Sequence, residues 1–120
     1  MHAQEPDSSE VLLVLTNLPD HDSASRLAHA LLEQHAAACV NILAACTSLY
    51  RWEGKLENAN EVPMLIKTTR SAYPLLEKLL LSLHPYELPE IIAVSVESGL
   101  PAYLQWVLQE TAPINVAIKE

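Results

Sequence analysis

His84 closes a run of leucines and is followed at once by Pro85, Tyr86 and Glu87, with Glu90 a little further on. Imidazole is a ligand that copper and zinc both accept, and carboxylates can complete such a set. His84 with the nearby glutamates is therefore the candidate metal site, for copper or another divalent cation. The plainer role for the same residue is to cap the helix that ends at it. Tyr50 and Trp52 are two apart and so project from one face of a strand near a hairpin tip, where exposed aromatic side chains call for a partner. Lys67 lies in the run Leu65-Ile66-Lys67-Thr68-Thr69. A lysine in such company either extends its ammonium to water or pairs with a carboxylate, and Glu61 or Glu90, across a subunit boundary, is the expected partner.

Other chemistry is missing. Cys39 and Cys46 are seven apart, so on one regular strand they face opposite sides about 23 Å from each other, too far for a shared ion or a disulfide. Each reads as a small buried hydrophobe. No two histidines stand four apart on a helix, there is no HExxH or CxxC, and no nucleophile comes with a base beside it. The residues offer no enzyme.

The elements that must position these groups can be read from periodicity. Val11 to Thr16 is a short, continuously apolar run, as in a strand covered on both faces, and Leu18-Pro19-Asp20 stops it. Asp20 or Asp22 can cap a helix whose apolar positions at helical spacing carry it to about Ala36. Cys39 to Tyr50 and Glu61 to Thr69 form the arms of a long hairpin turning near Gly54, with Pro63 marking an edge or a bulge. Ser71 is the expected cap of a second helix with the stripe Leu75, Leu76, Leu79, Leu80 and Leu83, ending at His84 because Pro85 disfavours helical backbone before it. Ile91 to Val96 is the last strand, and Pro101 starts a short third helix.

This order is the split βαβ pattern of a ferredoxin-like α+β sandwich. A chain of 120 residues makes one domain with a radius of gyration of about 14 Å, some 35 Å across. Hairpin arms of about 14 residues would reach roughly 46 Å. The hairpin therefore overruns its subunit, and an oligomer of closed symmetry is expected. The expected organisation is a lead-in over residues 1–10, one domain over 11–112 and a tail over 113–120, with Ile114, Val116 and Ile118 as a possible extra strand.

Half the residues are hydrophobic and 18% are charged, which excludes a disordered chain, and no apolar run is long enough for a membrane span. Seven Lys and Arg against 15 Asp and Glu give a net charge of −8, so nucleic acid and anionic membranes are not expected as partners. The two glycines lack the neighbours of a phosphate-cradling loop. Two cysteines and an N-terminus without basic or apolar regions predict the reducing cytoplasm.

Ala38-Cys39-Val40-Asn41-Ile42, Thr47 to Lys55, Ile66-Lys67-Thr68, His84 to Ile91 and Tyr103-Leu104-Gln105-Trp106 together closely resemble the CutA family of divalent-cation tolerance proteins, over about Val11 to Gln109. The resemblance implies a cytoplasmic homotrimer of ferredoxin-like subunits, non-enzymatic, similar to the nitrogen-regulatory signal proteins, and linked to copper and other divalent cations. The family's copper binders carry a Cys at the end of the first strand and a His-His pair before Pro-Tyr; here those positions hold Thr16 and Leu83-His84, so one ligand of three is kept. The resemblance also implies that Tyr50, Trp52, Glu61, Lys67, His84, Tyr86 and Glu90 gather at an interface cleft. If Lys67 lies there, a small anionic metabolite is the alternative ligand, and the protein is a small-molecule-sensing signalling trimer.

Overall fold

The computed structural model describes residues 7–113; the tail from Ile114, with its possible strand, and the first six residues of the lead-in lie outside them. Eight elements follow in order: β1 (Val11–Leu18), α1 (His21–Glu33), β2 (Cys39–Ile42), β3 (Cys46–Trp52), β4 (Lys55–Thr69), α2 (Tyr73–Leu83), β5 (Ile92–Ser95) and α3 (Pro101–Glu110). The architecture is α+β. Its antiparallel sheet runs β2-β4-β1-β5, with β3 also paired to the far half of β4.

Register assigns the faces. Leu12, Val14 and Leu18 of β1 share one face with Met64 and Ile66 of β4, and these meet Leu27 and Leu31 of α1 and Leu76 and Leu80 of α2 in the core. On the opposite face, α3 covers one end of the sheet. Val107 is fully buried there, and the Thr111 hydroxyl lies 3.2 Å from that of Thr69. Beyond α3 this face is open among the described residues: Leu13, Leu15 and Leu65 are half-buried, and Ile92 and Val94 are about half exposed.

Asp20 caps α1 by accepting the Ser23 N–H at 2.8 Å. The helix stops at Glu33, three residues before the expected end, because His35 takes a left-handed conformation (φ 59°). Ala36 N–H then donates to Leu31 and His35 N–H to Leu32, the bonding of a Schellman motif without its usual glycine. The His35 ring helps to fix this turn, its Nδ1 lying 3.0 Å from the Glu110 carbonyl oxygen. The expected Ser71 cap is corrected too. α2 starts after Ala72, whose N–H donates to the Thr69 hydroxyl, while Ser71 N–H donates to the Ser8 carbonyl. The lead-in is thereby tied down at its described end, where Arg70 donates to Glu10 at 2.7 Å and holds that carboxyl below its usual range.

The outgoing hairpin arm is divided in two. Ile42 faces Met64 and Cys46 faces Glu61, so three residues oppose two, which is a bulge of one residue beside Pro63. At the tip, Glu53 (φ 49°) and Gly54 (φ 81°) are both left-handed, as a two-residue turn matched to strand twist requires. The hairpin projects: the radius of gyration is 16.1 Å and the chain extends 53 × 44 × 25 Å. Cys46 is exposed and Cys39 half-buried, so neither is the core hydrophobe that the sequence suggested.

Candidate functional site

A cleft of about 1060 Å³ opens between the hairpin and the segment that leads from α2 to β5. Its hairpin wall follows from alternation. Ser48, Tyr50 and Trp52 of β3 share a face with Ala59 and Glu61 of β4, and all five line the cleft. The opposing wall is Pro85 to Ile92, with Asn17 between them. Two proline residues, Pro85 and Pro89, help to hold residues 85–91 of this wall out of helix and sheet.

His84 lies beneath the cleft. As the residue after α2 and before Pro85 it is extended (ψ 135°), which turns its ring toward β1. Its Nδ1 accepts the Tyr86 N–H at 3.2 Å, so Nε2 is the protonated nitrogen, and it faces the Thr16 hydroxyl at 3.2 Å. The ring is 9% exposed, and burial lowers its pKa, opposed by a hydrogen bond to the Asn17 backbone and by the Glu61 charge. Tyr86 packs on it with ring centroids 4.9 Å apart. The Tyr86 phenol faces Glu61, and burial, then this neighbouring carboxylate, push its pKa far up.

The metal expectation for His84 therefore meets a ring whose two nitrogens are both engaged. Thr16 is a poor ligand for copper, and no group of three His, Cys, Asp or Glu suited to a metal exists among the described residues. The side chains of one chain do not fit a copper centre.

Of the expected cleft residues, Tyr50, Trp52, Glu61, Tyr86 and Glu90 line the cleft within one chain and that chain's own Lys67 does not. Glu61 and Lys67 lie on one strand six residues apart, about 20 Å at the rise of a β-strand. The Lys67 ammonium donates instead to Asn41 Oδ1 and approaches Cys39 Sγ at 3.9 Å. Sequence reasoning missed Asn17, whose amide donates to Glu90 at 2.8 Å and anchors the far wall to β1. Its one signal was its position beside Thr16 at the end of the first strand.

The pKa of His84 gives a testable pH dependence. Above about pH 6.5, its ordinary value, the ring is neutral whether folded or not. As the pH falls below that value the unfolded chain takes up the proton first, so folding stability declines until the folded pKa is passed. His84→Gln is expected to flatten this component of the fall between pH 7.5 and 5.5, read from urea midpoints of the two proteins.

Residues 12–110, most of the chain, match the CutA1 divalent ion tolerance protein family. The chain belongs to that family. It is 41% identical over 99 residues to the divalent-cation tolerance protein CutA of Thermus thermophilus, covering 82% of this chain and 96% of the relative. It is 45% identical over 100 residues to human protein CutA, covering 83% of this chain but 56% of the relative. The chain thus spans about half the length of the mammalian CutA relatives. The crystal structure of CutA from Xylella fastidiosa superposes with a TM-score of 0.83 at 42% identity, covering 86% of this chain and 99% of the other. No helix among the described residues is long and apolar enough to cross a membrane.

Proposed function

We propose that this chain serves divalent-cation tolerance as a non-enzymatic, cytoplasmic homotrimer of ferredoxin-like subunits, engaging copper or another divalent ion weakly and between subunits. The strand order, with β2 and β3 of the outgoing hairpin arm counted as one divided strand, supports the βαββαβ reading. The observation that carries the assembly is the open apolar sheet face. Leu13, Leu15, Leu65, Ile92 and Val94 form rows that no helix among the described residues covers, and a sheet face of this kind is stable when buried. The hairpin's Leu49 and Leu56, on the other face of β4, are 78% and 75% exposed and give a second apolar surface beyond the subunit body.

The weakness of metal binding follows from the engaged nitrogens of His84 and from Thr16 and Leu83 in place of stronger ligands. Light scattering is expected to give three times the 13.3 kDa chain mass. In the same sample Cu²⁺ or Zn²⁺ is expected to raise the melting temperature modestly, saturating in proportion to trimer. A monomeric mass would overturn the assembly, and an isolated monomer stabilised as strongly as the trimer would overturn ligation between subunits.

A second reading, a small-molecule-sensing trimer, is favoured by the cleft itself. It is larger than a metal ion needs and is walled by aromatic side chains.

A further inference from the structure

We propose that a second copy of the chain completes the cleft: Lys67 of one subunit enters the cleft of the next and pairs with Glu61, and three such pairs close the trimer. The inference rests on the trimeric reading and deepens it, because it names the contact that joins the subunits and the residue that the cleft of one chain lacks.

Val62, Met64 and Ile66 of β4 point into the core, so alternation puts Glu61, Pro63, Leu65 and Lys67 on the open face. The residues that register sets beside this row on β1 and β2, such as Leu13, Leu15 and Asn41, are uncharged, as are Ile92 and Val94 of β5. The row therefore carries one anion and one cation, at opposite ends of an apolar stretch. Six residues of strand, about 20 Å, keep them from pairing within a chain.

Neither charge is balanced where it stands. Glu61 is 8% exposed, and a carboxylate withdrawn from water to this extent is costly unless it is paired. The Tyr86 phenol that faces it brings no charge. Lys67 is half-buried and meets only an amide oxygen, that of Asn41, and the Cys39 thiol. No group of opposite charge lies within 4 Å of either residue among the described residues.

Covering the open face with a second copy takes both charges further from water, which favours arrangements in which they meet. A cyclic trimer supplies the geometry. Its interfaces are heterologous, so different parts of the same face meet across each boundary, as a cation at one end and an anion at the other require. Glu61 is the better partner than Glu90, which is exposed and already accepts the Asn17 amide at 2.8 Å. The ammonium thus reaches the cleft from the neighbour, by a route that its own strand forbids.

The test begins with the unaltered protein. Light scattering gives its mass, and a water-soluble carbodiimide, which joins an amine to a carboxylate in contact with it, is expected to produce covalent dimers and trimers. Mass spectrometry should place the joint between Lys67 and Glu61. Lys67→Arg keeps the positive charge and is expected to keep the trimeric mass while losing that joint. In parallel, Glu61→Gln and Lys67→Met are each expected to lower the urea concentration at which the trimeric mass is lost, and the double variant to lower it no further than the worse single one. Either the joint or this non-additivity sustains the proposal, and the cross-link keeps it falsifiable should Glu61→Gln fold poorly. A trimeric mass with no Lys67–Glu61 joint and with additive losses overturns the pair and leaves the assembly standing. A monomeric mass overturns the assembly itself, and the pair with it.

Discussion

Leu76→Ala is expected to lower stability by about 3 kcal/mol, while Leu81→Ala on the same helix changes it by no more than roughly 0.5 kcal/mol. Leu76 is fully buried between α1 and the sheet, and Leu81 is 60% exposed. Removing the Leu76 side chain takes apolar atoms out of a close-packed cluster and leaves a cavity that Leu31, Leu80 and their neighbours close only in part. Leu81→Ala removes atoms that already meet solvent, and alanine slightly favours helix. Urea denaturation of the two variants in parallel measures the contrast. Equal losses would mean that α2 packs through a different face.

That contrast also shows where the sequence was legible. The leucine periodicity of α2 announced a helix with an apolar stripe, and the stripe is there. Its edges were not readable, because Leu75 and Leu83 belong to the same pattern as Leu76 and Leu80 yet remain 40% and 50% exposed. Which leucine is buried depends on where α1 and the sheet lie, and that is tertiary information. The end of α1 was obscured for another reason. A histidine, not a glycine, adopts the left-handed position, and its ring is fixed by a carbonyl 75 residues away.

The candidate site divides along the same line. Alternation placed Tyr50 and Trp52 on one face, and Pro85 ended α2 at His84, while their gathering with Glu61, Tyr86 and Glu90 was implied by the family resemblance alone. Local rules also held the reason Lys67 is not beside Glu61 of its own chain, since six residues along a strand span about 20 Å. What they lacked was the competing partner: Asn41 faces Leu65, one step along the same face from Lys67, only once β2 is paired with β4. The use of both His84 nitrogens was equally hidden, because Thr16 is 68 residues distant in sequence.

Val94→Glu is expected to convert the proposed trimer to a monomer, the mass by light scattering falling from three times 13.3 kDa to that value, while far-ultraviolet circular dichroism is unchanged. Val94 lies on β5, an edge strand whose only partner among the described residues is β1, and its side chain is 52% exposed in the single chain. Within that chain a glutamate there keeps its carboxylate in water, so the expected effect on folding is small. In an assembly that buries the open sheet face the same carboxylate would be taken from water without a partner, at a cost of several kcal/mol for each copy. Symmetry repeats this penalty at every interface, so a single substitution acts more than once on the trimer. The position discriminates well because β5 residues lie beside Leu13 and Leu15 on the face away from the core, where the fold has no need of valine but a second copy would. If the variant keeps the trimeric mass, the open face is not the assembly surface, and the hairpin leucines Leu49 and Leu56 must carry the contact instead.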